Sequence, residues 1–290
     1  MGLRKKLFTA GTVAWSFAKG RLLAGDLASL RAYCMFIGYP RSGHSLVGAL
    51  LNAHPNIVVA HELSALEYLK YGPTQGSLAA LLLKRDREFA AGGRRWVGYD
   101  YAVPGQWQGR YTTLEVVGDK KGGRSTTVLA RNPDLLATLR RTVGVPLRVI
   151  HHVRNPYDNI STWARKSNRR LPDAADQYFK YATVNRDLLA RHLGVDEQIE
   201  SHHDDLIADP VTELARLVAF LGPAAGDDYL RACAAVVFDK SSRTRDDADW
   251  PPGLIDDIAA RMAGFDFLRR YRFDDRPARR NTIRYDTETE

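Results

Sequence analysis

An apolar run, Tyr33-Cys-Met-Phe-Ile-Gly-Tyr39, ends in Pro40-Arg-Ser-Gly43 and gives way to a helical stretch from His44 to Asn52, stopped by His54-Pro55. No other stretch constrains the fold as much. A continuous apolar run without alternation belongs to a strand buried on both faces, and such a strand needs helices on both sides of a parallel sheet. The glycine turn that joins it to a helix also implies chemistry. Backbone N–H groups of the turn and of the helix N-terminus converge on one point and can hold an anion. Gly38-x-x-x-x-Gly43 has the spacing of a nucleotide-triphosphate loop, with Ser45 at the metal-binding hydroxyl. His44, however, stands where that motif places the lysine that reaches the β- and γ-phosphates, which argues against an ATPase or kinase. Arg41 supplies a cation inside the turn instead.

The rest of the chain repeats the alternation. Strands are expected at 57–60, 96–103, 114–118, 147–153 and 198–203, separated by helices at 77–91, 125–142, 156–166 and 174–193. Strands alternating with helices of this length predict an α/β fold, a P-loop-NTPase-like central parallel sheet flanked by helices, with a helical C-terminal part. Asp209 suits an N-cap and Pro210 the first position of a helix over 211–221. Residues 5–30 read as a basic amphipathic helix, so the organisation expected is an N-terminal helical segment (1–32), one α/β domain (33–273) and a charged, flexible tail (274–290).

The formal net charge of +8 over 290 residues points to anionic partners: phosphorylated small molecules, nucleic acid or an anionic membrane face. The basic residues are scattered and match no nucleic-acid-binding motif, so no nucleic-acid partner is expected. Two cysteines make no disulfide framework and no zinc set, which suits a reducing, cytoplasmic setting. No apolar run approaches the roughly 20 residues that span a bilayer, and the N-terminus lacks a signal-peptide cleavage site. The N-terminal helix packs on its own domain or rests peripherally on a membrane.

A second anion site is suggested where the strand at 147–153 runs into Arg154. An arginine leaving a strand, with hydroxyls two helical turns on at Ser161 and Thr162, can hold a phosphate by a fork of donors plus one hydroxyl. The adjacent histidines His151-His152 and His202-His203 are no metal site, because neighbours in a strand face opposite ways.

Pro40-Arg41-Ser42-Gly43-x-Ser45-Leu46, with Leu-Asn-Ala-His54-Pro55 behind it, resembles the 5′-phosphosulfate loop of sulfotransferases that use 3′-phosphoadenosine 5′-phosphosulfate (PAPS). It is most similar to the protein-tyrosine and bacterial versions, and departs from them at His44, where Thr is usual. Arg154 with Ser161 or Thr162 resembles the family's 3′-phosphate motif. His203-Asp-Asp-Leu-x-x-x-Pro210, then Phe220-Leu-Gly222, and the basic loop Lys240, Arg243 and Arg245 ahead of Trp250-Pro251 are similar to its C-terminal half. The resemblance runs from about Met35 to Phe273.

The resemblance implies a sulfuryl transfer from PAPS, leaving PAP (3′,5′-adenosine bisphosphate), with no metal. Arg41, Ser42, Gly43, His44 and Ser45 would hold the 5′ end of the donor, with Arg41 also steadying the leaving phosphate. Glu62 would be the base, with His61 as the fallback. Lys120 would stabilise the sulfuryl group in flight, and Lys121 is not separated from it by sequence. The acceptor favoured is a carbohydrate or glycolipid hydroxyl, with aromatic and amide side chains at 71–76 and 104–111, Trp163 and Tyr178 available to meet it. The rivals are a P-loop kinase or NTPase, in which Asp119 would serve the magnesium ion, and a non-catalytic PAP- or nucleic-acid-binding relative.

Overall fold

The computed structural model describes residues 3–280, with side chains from residue 10 onward. Its strands are β1 (Ala32–Gly38), β2 (Ile57–His61), β3 (Arg95–Trp96), β4 (Tyr99–Asp100), β5 (Val116–Lys120), β6 (Leu147–Val153) and β7 (Gln198–His202). Five of them form one parallel sheet in the order β2-β5-β1-β6-β7. The α/β class expected from sequence is therefore the one observed. β1 lies at the centre and every one of its residues is buried. Tyr33, Met35 and Ile37 enter the core on one face, and Ala32, Cys34 and Phe36 enter the core on the other. A strand with two buried faces has no polar face to alternate with, which is why its sequence reads as a continuous apolar run.

The first half of the chain contributes helices α1 (Leu3–Leu22), α2 (Ala24–Leu27), α3 (His44–Asn52), α4 (Gln75–Ala91), α5 (Gly122–Arg131) and α6 (Leu135–Val143). The second half contributes α7 (Pro156–Ser167), α8 (Leu171–Arg191), α9 (His203–Ala208), α10 (Pro210–Leu221), α11 (Asp227–Val236) and α12 (Leu254–Met262). The expected cap of α10 is present: the Asp209 side chain accepts from Thr212 N at 3.1 Å, with Pro210 as the first helical residue.

Three expectations need correction. The strand expected at 96–103 is a two-residue hairpin, β3–β4, outside the main sheet, because Val97 and Gly98 both take positive φ (53° and 85°) and turn the chain back on itself. The single helix expected at 125–142 is two, broken at Asn132-Pro133, where Asn132 is extended (φ −152°, ψ 85°) as a residue before proline prefers. The helix over 5–30 ends at Leu22 and resumes briefly as α2.

α1 packs on α4 at a glycine pair: a Cβ on Gly20 would sit 2.4 Å from Gly76 C, so only glycine permits this approach. Among the described residues no helix is long and apolar enough to cross a membrane. The charged tail begins docked, with Ser241 N bonded to Ala278 O at 2.9 Å and Arg280 N to Asp239 O at 2.8 Å. Residues 281–290 lie outside the described residues.

Candidate functional site

All five strands of the parallel sheet end at one edge, and ligands of open α/β sheets bind in the crevice beyond that carboxyl edge. The loop from β1 to α3 forms its middle. Arg41 and Gly43 both have positive φ (67° and 95°). A Cβ on Gly43 would also lie 2.6 Å from His203 Nδ1, so the position demands glycine for both conformation and space. Among the described residues the amides of Arg41, Ser42 and Gly43 have no backbone acceptor, and the first turn of α3 leaves further N–H groups unpaired. Unpaired amides around a glycine turn fit an anion. Ser42 is buried and bonds His44 Nδ1 at 3.0 Å. The His44 ring packs on Gly122 and is kept neutral, its pKa lowered to about 3 by burial and then by Lys120.

To one side, β2 and β5 deliver a charged cluster. Glu62 follows β2 with φ 61°, a left-handed backbone that costs a non-glycine residue free energy and is characteristic of functional positions. Two things hold it there. Its amide continues the β2–β5 ladder to Lys120 O at 3.2 Å, and Asp119 accepts from Leu63 N at 2.9 Å and Ala65 N at 2.7 Å. Asp119, the carboxylate weighed for a magnesium ion, is buried and spends both oxygens on those amides. Burial raises its pKa to about 6 against their pull.

Lys120 Nζ donates to Glu62 Oε1 at 3.0 Å and to Ser45 Oγ at 2.9 Å, while Lys121 Nζ takes Glu62 Oε2. Burial opposes the Glu62 charge, but the two ammonium groups outweigh it and hold the carboxyl at about 2. Lys120 moves the other way, down to about 8. At 1% exposure against 17% for Glu62, desolvation outweighs its single carboxylate partner. Lys120 reaches this place because α3 has Gly48 beneath its stem, where a Cβ would sit 2.7 Å from Lys120 Cγ. His61 instead stacks on Phe89 (4.0 Å between ring centres, 10°), and burial lowers it to about 3.

On the other side, β6 delivers Arg154. It is 7% exposed and, among the described residues, has no carboxylate within ion-pair distance. Its Nη2 donates to Ser242 O and Oγ, both at 2.9 Å, and its Nη1 lies 3.5 Å from both Thr162 Oγ1 and Arg41 O. The two sequence motifs thus meet at Arg154. Of the paired hydroxyls, Thr162 is the one beside it. Ser161 bonds Asp158 O at 3.2 Å, and both hydroxyls bond Thr244 Oγ1.

The basic loop behaves differently. Arg245 is 2% exposed and forms a buried ion pair with Asp158 at 2.9 Å; Arg243 is paired with Asp246 at 2.8 Å; Lys240 is exposed and bridges to Arg279 through its backbone. Sequence reasoning missed Ser242 and Thr244, whose only signal was a hydroxyl on either side of Arg243.

The His151-His152 pair splits across β6 as the alternation requires, whereas His202 ends β7 and His203, expected in the same strand, opens α9. His151 faces Phe267 in the core, and His152 bonds Ser201 Oγ at 3.1 Å. His202 bonds Tyr271, and His203 lies under Gly43. Tyr178 is a core residue stacked on Tyr39 at 4.3 Å. The hairpin carries exposed aromatics, Trp96 and Tyr99 at 40% and 53%, and Tyr101 just beyond it has Ser45, Arg41 and Glu62 around it. That segment is anchored by Arg94, buried against Asp86 at 2.9 Å, while Asn52 donates to the same carboxylate at 2.8 Å. Asn52 belongs to the Leu-Asn-Ala-His-Pro motif, whose role here is to pin the hairpin's base.

No family model matches the chain, and no curated protein matches it. The solved structures to which it is similar include several sulfotransferases. The sulfotransferase domain of the olefin synthase of Synechococcus PCC 7002 is 19% identical, covering 79% of this chain and 83% of that one at a TM-score of 0.47. Sulfotransferase STF9 from Mycobacterium avium is 14% identical over 87% and 81%, also at 0.47. Mouse sulfotransferase SULT7A1, crystallised with PAP, is 14% identical over 81% and 73% at 0.42. Likenesses of this size carry no chemistry across to this chain.

Proposed function

We propose that the protein is a sulfotransferase that moves a sulfuryl group from PAPS to an acceptor hydroxyl. The observation that carries this reading is Arg154. A buried guanidinium with no carboxylate in contact, only Asp158 and Asp204 further off, is ready to take an anion, and this one lies 3.5 Å from the carbonyl of a glycine loop whose own amides are unpaired. Two anion sites sharing one contact suit a donor with two separated phosphates.

In this reading Arg41 and the amides of Ser42, Gly43, His44 and Ser45 hold the 5′-phosphosulfate, while Arg154 holds the 3′-phosphate with Thr162 or Ser161. Lys240, Arg243 and Arg245 belong to the loop that closes this end, with Arg245 acting through Asp158. PAPS supplies the sulfuryl group: the acceptor oxygen gains the bond to sulfur as the bond from sulfur to the 5′-phosphate oxygen breaks, and PAP leaves. Lys120 steadies charge on the group in transfer and Arg41 steadies the leaving phosphate, a task that needs preorganised charge more than covalent help. Glu62 takes the acceptor proton. The acceptor is a carbohydrate or glycolipid hydroxyl, since the exposed faces of Trp96, which packs against His61, and of Tyr99 suit sugar C–H faces or an apolar tail. Peripheral contact of α1 with a membrane would bring a lipid-borne acceptor within reach.

Calorimetric titration with PAP and with ATP, both in EDTA, tests the donor class. Micromolar PAP binding with negligible ATP binding is the expected result. ATP binding that appears only when magnesium is restored would favour the kinase reading, and binding of neither would overturn the donor assignment.

A further inference from the structure

Both oxygens of Glu62 have lysine partners. Oε1 accepts from Lys120, which also bonds Ser45 in the glycine loop, and Oε2 accepts from Lys121. The two lysines are not equivalent. Lys120 is 1% exposed and bridges the carboxylate to the loop; Lys121 is 26% exposed and, among the described residues, its side chain donates only to Glu62. It sits at the N-cap of α5 but makes no capping bond.

We propose that Lys121 is a positioning residue that stays on Oε2 throughout turnover, so that Oε1 alone is presented to the acceptor, and only after Lys120 has turned from Glu62 to the donor. This rests on Glu62 being the base. The backbone of Glu62 is held by Lys120 O and the following turn by Asp119, so what aims the carboxylate is its two lysine partners. A carboxylate with two ammonium partners is a poor base, and loss of one partner to the donor makes it a better one at the moment it is needed. The groups facing Glu62 are Lys120 and Lys121 from the end of β5, His44 and Ser45 from α3, His61 with Arg85 behind it, and Tyr101. His44 and His61 remain neutral to about pH 3, so the lysines set the charge around it.

The test is the pH profile of kcat/KM for the acceptor at saturating PAPS in Lys121→Met and Lys121→Arg, beside the ¹³C titration of the Glu62 carboxyl in the donor-free protein, assigned by its loss in Glu62→Gln. Lys121→Met should move both the acid limb and the carboxyl titration up by about 1 to 2 pH units, and Lys121→Arg should restore both. PAP affinity should be unchanged in either variant. A Lys121→Met protein with wild-type limb and titration, in a background where Glu62→Gln is inactive, overturns the role of Lys121 alone. Wild-type turnover by Glu62→Gln overturns the base assignment and the proposal together.

Discussion

The two cationic centres at the sheet edge are built in opposite ways. Lys120 is buried with its counter-charge in place, so Glu62 neutralises it in the free protein. Arg154 is buried with hydroxyls and carbonyls in hydrogen-bond contact, while Asp158 and Asp204 act on it only from beyond ion-pair distance. The first arrangement is complete without a ligand and must be rearranged by one, which suits a place where charge moves during reaction. The second is incomplete without an anion, which suits binding. Arg245, one turn of loop away, shows that the fold pairs a buried arginine with a carboxylate when only architecture is at stake.

The largest effect expected from breaking this contrast is at the paired centre. Glu62→Gln should lower turnover by about 100- to 10,000-fold, the usual span for a general base, while PAP binding measured by calorimetry stays near wild type. Next is the architectural pair. Arg245→Met removes the ion-pair partner of Asp158 Oδ2, while the backbone N–H of residue 245 stays on Oδ1 and Arg154 stays nearby, and should cost about 2–4 kcal/mol in urea unfolding. At the unpaired centre, Arg154→Ala should weaken PAP by about 10- to 100-fold, with 5′-AMP, which lacks the 3′-phosphate, nearly unaffected. Equal weakening of both ligands would place Arg154 elsewhere on the donor.

The smallest single steps come from acid. Burial holds His44, His61 and His203 at about 3 and His151 at about 4, against 6.5 in the unfolded chain. The unfolded state therefore binds more protons between those values, so stability falls as pH falls from about 6.5, by up to about 1.4 kcal/mol per pH unit for each buried ring. Below about pH 4.5 the Glu62 contribution is lost as well, because a depressed carboxyl stabilises the fold only while its unfolded counterpart is ionised. Urea unfolding at pH 7.5, 6.0 and 5.0 (roughly bracketing the histidine range) checks the sign, and a flat profile would mean that these rings are not held neutral.

What could be read from the chain was local. The strand at the centre, the glycine turn, the helix after it and the Asp209-Pro210 cap all depend on residues within one turn of each other, and they stand where the sequence puts them. The end of β6 could be read too and pointed to Arg154, whereas Glu62 and Lys120 came from the resemblance, the strand expected at 114–118 having stopped two residues short of Lys120. Where local signals conflicted, tertiary context prevailed. Aromatic 96–103 has strand composition, yet the turn at Val97-Gly98 and the Asp86–Arg94 pair hold it off the sheet.

Sequence by itself determined the α/β class and the types of residue lining the sheet edge, since burial on both faces and unpaired turn amides follow from short-range pattern. Only the tertiary structure decided how those charges are spent. Glu62 meets Lys120 across 58 residues and Arg154 meets Ser242 across 88, and no periodicity encodes which of several arginines will find a carboxylate. Arg245 and Arg154 look alike in the chain. They differ because folding puts Asp158 in direct contact with Arg245, while Arg154 meets the hydroxyls of Ser242 and Thr162 and feels Asp158 only from further away.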